Sequence, residues 1–175
     1  RVTQVQVQDN IGFDFGTVLR SSLRQDPDIL LVGEIRDQET AEIAVRASLT
    51  GHLVLSTLHT NDAITSAMRL IDVGLEGYLV ANSLRAVIAQ RLVRRICANC
   101  KIAHEPSEQE NIWLRSINES FNLDTTTPFR GEGCSQCNNT GYRGRIGVFE
   151  YLEIDASLAD ALRMADPLVF GQAAR

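Results

Sequence analysis

The sequence predicts an α/β fold: a partial parallel sheet with flanking helices, a small tetracysteine insertion and a C-terminal helical region. Three observations carry that expectation. Two short apolar runs, "ILLVG" at 29–33 and "HLVLSTL" at 52–58, have strand length and are too short for helices. Segments with a helical apolar period lie before, between and after them, so strands and helices alternate over residues 26–74, the pattern of a parallel sheet with right-handed crossovers. All four cysteines then occur downstream, as two CxxC pairs.

The elements follow in order. "VTQVQVQ" (2–8) alternates loosely and reads as a strand, with a turn at Gly12. "FDFGTVLRSSLRQ" sets Phe15, Val18, Leu19 and Leu23 at helical spacing, and Pro27 with its flanking aspartates stops that helix. After the strand at 29–33, "DQETAEIAVRASLTG" offers Asp37 as N-cap, Ile43, Ala44 and Ala47 on one face, and Gly51 past the end. "HLVLSTL" is the second strand, and "NDAITSAMRLIDVG" the next helix, capped by Asn61 or Asp62 and stopped by Gly74. "EGYLVANSLRAVIAQRLVRRI" (76–96) predicts a long helix with Leu84, Val87, Ile88 and Leu92 as its stripe. "SEQENIWLRSINESF" (107–121) is helical in character, "GYRGRIGVFEYLEI" returns to strand or hairpin, and "SLADALRMA" is helical. The change of character at the cysteines divides the chain into 1–96, 97–141 and 142–175.

Composition bounds the function. The 175 residues, 44% hydrophobic and 22% charged, suffice for a globular core, and no apolar run approaches the roughly 20 residues of a membrane-spanning helix. The net charge of −5 gives no general attraction for a polyanion, so nucleic acid is not an expected partner. The chain opens on "RVTQVQV" without an initiator Met and closes in "LVFGQAAR", mid-helix in character, so a fragment is expected.

Cys97-Ala-Asn-Cys100 and Cys134-Ser-Gln-Cys137 are the most specific metal signal. Two residues between thiolates let both sulfurs of a knuckle face one ion, and two knuckles complete a tetrahedral S₄ shell that suits structural Zn²⁺. Two disulfides, or four unrelated thiols, are the alternatives. His104 lies four residues beyond Cys100 and reads as a surface histidine. Arg91, Arg94, Arg95, Lys101, Arg130, Arg143 and Arg145 flank the cysteines and would offset the −2 charge of a zinc tetrathiolate; no aromatic residues interleave with them as a single-strand binder would require.

Glu34 follows the first apolar strand, at the end where α/β proteins hold their chemistry, and there can hold a Mg²⁺-bound water or orient a water toward a phosphate. Pairing with Arg36 is its structural alternative. A parallel neighbour brings His59 close to Glu34, whereas His52, at the other end of that strand, reads equally as a packed histidine after a helix end. Arg20 and Arg24, at i and i+4, form either a solvated face or a phosphate-facing one. The phosphate-binding loop G-x-x-x-x-G-K-[ST] does not occur in these residues.

"LRQDPDILLVGEIRDQETAEIAVRASLTGHLVLSTLHTNDA", with "AQRLVRRICANC" and "CSQCNNTGYRGRIGVFE" after it, closely resembles the secretion ATPase superfamily, in particular the type II secretion and type IV pilus assembly ATPases. The resemblance covers nearly the whole chain. It implies a RecA-like motor domain that binds ATP and Mg²⁺, with "ILLVGE" as the Walker B strand and Glu34 as the magnesium-site or water-activating acid. It makes "GHLVLSTLHT" a histidine box with His52 and His59 near the phosphates, and "GYRGRIG" a turn near the nucleotide base with Arg143 and Arg145. The cysteine pairs resemble the family's metal-binding insertion, which favours export or pilus extension. The resemblance further implies a P-loop upstream of Arg1, near inactivity of these residues alone, a homohexameric intact protein, and a cytoplasmic place peripheral to the inner membrane through an inner-membrane platform protein and cytoplasmic domains of the machinery. The alternative function is a zinc-stabilised interaction module docking on that platform.

Overall fold

The computed structural model describes residues 2–117 and 127–174. The chain forms two compact units, one of Arg1–Gln90 with Phe149–Arg175 and one of Arg91–Val148.

In the first unit, β1 (Ile29–Val32) and β2 (Leu53–Ser56) pair in parallel, with Ile29 opposite Leu53 and Val32 opposite Ser56. Between them runs α2 (Gln38–Leu49), so the expected strand–helix–strand crossover is present. Its start is fixed locally: the Asp37 carboxylate accepts from the Thr40 N–H at 2.8 Å and from the Thr40 hydroxyl at 2.9 Å. Thr40 is buried, so its amide has no water to replace that acceptor. Asp37→Ala is expected to cost about 1–2 kcal/mol, read from chemical denaturation midpoints. α1 (Phe15–Ser22) packs on the same side of the sheet as α2, and Leu19, Leu30, Val32, Ala44 and Ala47 form one small core there. The opposite face of the pair is bare: Ile29, Leu31, Leu53 and Leu55 are all exposed, Leu31 to 77%.

The larger core lies among helices. α3 (Ala63–Asp72), capped by Asp62, and α4 (Gly77–Ser83) meet α6 (Ala156–Met164) and α7 (Pro167–Ala173) around Met68, Leu70, Val80, Leu162 and Phe170. Gly77 is required by this packing, because a Cβ there would lie 2.3 Å from the Leu162 carbonyl oxygen.

Two expectations fail. Residues 2–7 form no strand; only an isolated bridge between Gln8 and Phe13 closes the turn at Gly12. A loose alternation with no partner strand has nothing to hold it extended. The expected long helix at 76–96 ends at Ser83, and Ala86–Ile96 is β3. It pairs with β6 (Tyr142–Glu153), and within 86–90 burial alternates, with Val87 and Ala89 turned inward and Ile88 and Gln90 outward.

The second unit holds the rest of that ribbon, the antiparallel pair β4 (Lys101–Ala103) and β5 (Phe129–Gly131), and α5 (Glu108–Ile117). The expected helix at 107–121 is present as far as Ile117, and its last residues lie outside the described ones. No helix among the described residues is long and apolar enough to cross a membrane.

Candidate functional site

Parallel pairing places the carboxyl ends of β1 and β2 side by side, and backbone contacts carry the pairing one step further. The Ile35 N–H donates to the Thr57 carbonyl at 3.2 Å, and the Thr57 hydroxyl donates to the Gly33 carbonyl at 2.7 Å. Glu34 and His59 therefore emerge together, with His59 Nε2 2.8 Å from Glu34 Oε2. Arg36 Nη2 lies 2.7 Å from the other carboxylate oxygen, Oε1. Glu34 thus meets both partners foreseen for it, the histidine and the arginine. The His59 hydrogen bond, the largest effect, holds the Glu34 carboxyl below its ordinary value; burial opposes it, and Arg36 adds a further lowering. The group is therefore ionised at neutral pH. Its side chain is 20% exposed, whereas those of His59 and Arg36 are largely in solvent, so both partners have room to swing away while the acid stays.

The remaining candidates are elsewhere. His52 lies at the amino end of β2, and its Nδ1–H donates to the Ala47 carbonyl at 2.9 Å, closing the end of α2. A carbonyl only accepts, so the proton is on Nδ1 and Nε2 carries the lone pair in the neutral ring. Arg20 Nη1 is 2.6 Å from Glu39 Oε1 on an exposed face; Arg24 is exposed and has no ion-pair partner among the described residues. In the second unit Arg143 donates to Gln136 Oε1 at 3.1 Å, and Arg145 is exposed.

Sequence inspection passed over Glu150 on β6. Its Oε2 accepts from the Ala63 N–H at 3.1 Å, at the first turn of α3 just past the His59 loop. A strand glutamate with its neighbours exposed carries no local signal for such a contact.

The four cysteines converge. Their Sγ atoms all lie within 4.8 Å of one another, with Cys97–Cys134 and Cys100–Cys137 at 3.9 Å and Cys134–Cys137 at 3.7 Å. Disulfides need about 2.05 Å, so these sulfurs are not bonded. Tetrahedral zinc with Zn–S near 2.3 Å separates its sulfurs by about 3.8 Å, and the cluster fits that shell. Burial first, reinforced by neighbouring thiols, pushes Cys100 up to about 12. At Cys137 burial also opposes the charge, but the Cys134 and Gly141 N–H groups outweigh it and bring the thiol down to about 6. Four thiolates this close repel one another, so the set needs a cation before all four ionise. His104 is not part of the cluster; its Nε2 lies 3.2 Å from Glu110. Among the flanking cations, Arg94 sits over the Tyr142 ring and Lys101 over the Phe129 ring, so aromatic residues separated in sequence do meet two of them in space.

Residues 1–172 match the family model described as Type II/IV secretion system protein. The chain belongs to this family. Type II secretion system protein E of Aeromonas hydrophila is 49% identical over 164 residues, 94% of this chain and 32% of that protein. The type IV pilus assembly ATPase PilB of Myxococcus xanthus is 49% identical over 151 residues, covering 86% of this chain and 26% of its own length. The pilus retraction motor PilT, solved with bound ADP, superposes with a TM-score of 0.57 at 28% identity over 86% of this chain and 33% of that one. The chain therefore spans between about a quarter and a third of the length of these proteins.

Proposed function

We propose that these residues are the acid-bearing part of an ATP-driven motor for type II secretion or type IV pilus assembly, built on a RecA-like core. The observation that carries the reading is the Glu34–His59 pair at the carboxyl ends of parallel β1 and β2. The named relatives, a secretion protein E and a pilus assembly ATPase, support it.

Bound ATP with Mg²⁺ supplies the phosphoryl group and a cation to neutralise the charge it develops. Glu34 contributes an ionised carboxylate whose oxygens can each hold a water hydrogen once His59 or Arg36 has moved off, orienting the water's lone pair for in-line attack. His59 Nε2–H is free to donate to a phosphate oxygen in that state. His52, with its proton committed to Ala47, presents an acceptor and serves the helix end first. The four cysteines hold a structural Zn²⁺ in the second unit. In the intact protein we place a phosphate-binding loop upstream, a homohexamer in the cytoplasm, and partners at an inner-membrane platform.

Phosphate-release assays test this. The chain as given is expected to be close to inactive, and a version extended upstream through a phosphate-binding loop to hydrolyse ATP in a Mg²⁺-dependent way. Glu34→Gln keeps the side-chain shape, loses the charge, and should lower turnover by at least about a hundredfold. Strong hydrolysis by the 175 residues alone, or an extended Glu34→Gln variant at full rate, would overturn the reading.

A further inference from the structure

The His59 loop is held at both ends by different means. Its entry is fixed by the sheet, through Thr57 on Gly33 and Ile35 on Thr57. Its exit is the first turn of α3, where four N–H groups have no partner inside the helix. Asp62 takes the Thr65 N–H at 2.7 Å, and the Thr60 and Ser66 hydroxyls face each other across the same turn. The Ala63 N–H points away from Asp62 and is taken by Glu150 Oε2, from a strand 87 residues further along the chain. Ala63 is fully buried, and among the described residues the Glu150 carboxylate is the acceptor that its N–H meets. Leu152, two residues on and on the same side of β6, packs against the helical core and anchors the strand that presents the carboxylate. A carboxylate at this point also meets the positive end of the α3 dipole.

We infer that Glu150 is a positioning residue for the candidate ATP site: by clamping the first turn of α3 it sets the exit of the 57–62 loop and so keeps His59 Nε2 on Glu34. The clamp rests on the reading of Glu34 and His59 as site residues, but its geometry is independent of nucleotide. Without it, Ala63 loses its acceptor, and the exit keeps only the contacts within the turn itself, the Asp62 cap on Thr65 and the Thr60–Ser66 hydroxyl pair. His59, largely exposed, is then less firmly returned to the carboxylate.

The test is nuclear magnetic resonance on this chain without ATP, following the Ala63 amide exchange rate and the His59 ring-nitrogen shifts in Glu150→Ala and Glu150→Gln. Glu150→Ala should speed Ala63 exchange by at least about tenfold and move the His59 signals to those of an unpaired imidazole. Glu150→Gln keeps an oxygen acceptor and should hold both near their original values. Where the alanine variant does not fold, Glu150→Asp, which keeps the charge and withdraws the oxygen by one methylene, takes its place. A folded alanine or aspartate variant with unchanged His59 signals overturns the clamp, as does a glutamine variant that loses them. Failure of the ATPase assay leaves these outcomes untouched, so the two ideas fail separately.

Discussion

Removing the zinc proposed for the cysteine cluster, or replacing Cys137 by Ser, is expected to unfold residues 91–148 as a unit. The reason is what that unit lacks. Among the described residues of this span none belongs to the two hydrophobic cores, and its buried apolar members are Cys97 and Cys137 themselves. A segment of about 60 residues whose described part buries no aliphatic cluster has little burial with which to offset its chain entropy. Structural zinc supplies roughly 10–16 kcal/mol in comparable small sites, enough to decide the equilibrium. Elemental analysis should find one zinc per chain. After a chelator, amide signals from 91–148 should collapse into the random-coil range while those of α2 and α3 stay dispersed. Metal-free protein with an unchanged spectrum and melting curve would sink the structural-zinc claim.

Gly77→Ala should produce the largest loss in the first unit. The added Cβ meets the backbone oxygen of Leu162, which no side-chain rotation can move, so α4 and α6 must separate. Val80, Leu162 and Phe170 are fully buried at that contact, and their packing loosens together. The expected cost is about 3 kcal/mol, a drop of roughly 10 °C in the calorimetric midpoint. Gly171→Ala is the control, since a Cβ there meets nothing within 4 Å inside α7 and should be neutral or slightly stabilising. Equal effects at the two positions would refute the close-approach argument.

How much was legible depended on how far apart in the chain the determinants lie. α2 and α3 were readable because cap, period and stop are contiguous: Asp37 and Asp62 both accept from the amide three residues on, and Gly51 and Gly74 follow with positive φ. The approach of His59 to Glu34 was readable because one crossover separates two strands of matched length. β3 was not, since Leu84, Val87, Ile88 and Leu92 satisfy a helical period as well as Val87 and Ala89 satisfy a strand. Only β6, which supplies the hydrogen-bonding edge, decides between them. The cysteine pairs announced a four-sulfur cluster through spacing alone. Glu150 could not be found that way, because its role is created by the helix end it meets.

The bare side of the β1–β2 pair has a thermodynamic consequence. The heat capacity change of unfolding scales with the apolar area that folding removes from water. Ile29, Leu31, Leu53 and Leu55 stay wet in both the folded and the unfolded chain, and contribute little to that change. The first unit should therefore show a smaller heat capacity increment per residue than the roughly 12–15 cal/mol/K usual for globular domains, and a correspondingly flat stability curve. Any element that covers this face would deepen the curvature as well as raise the midpoint.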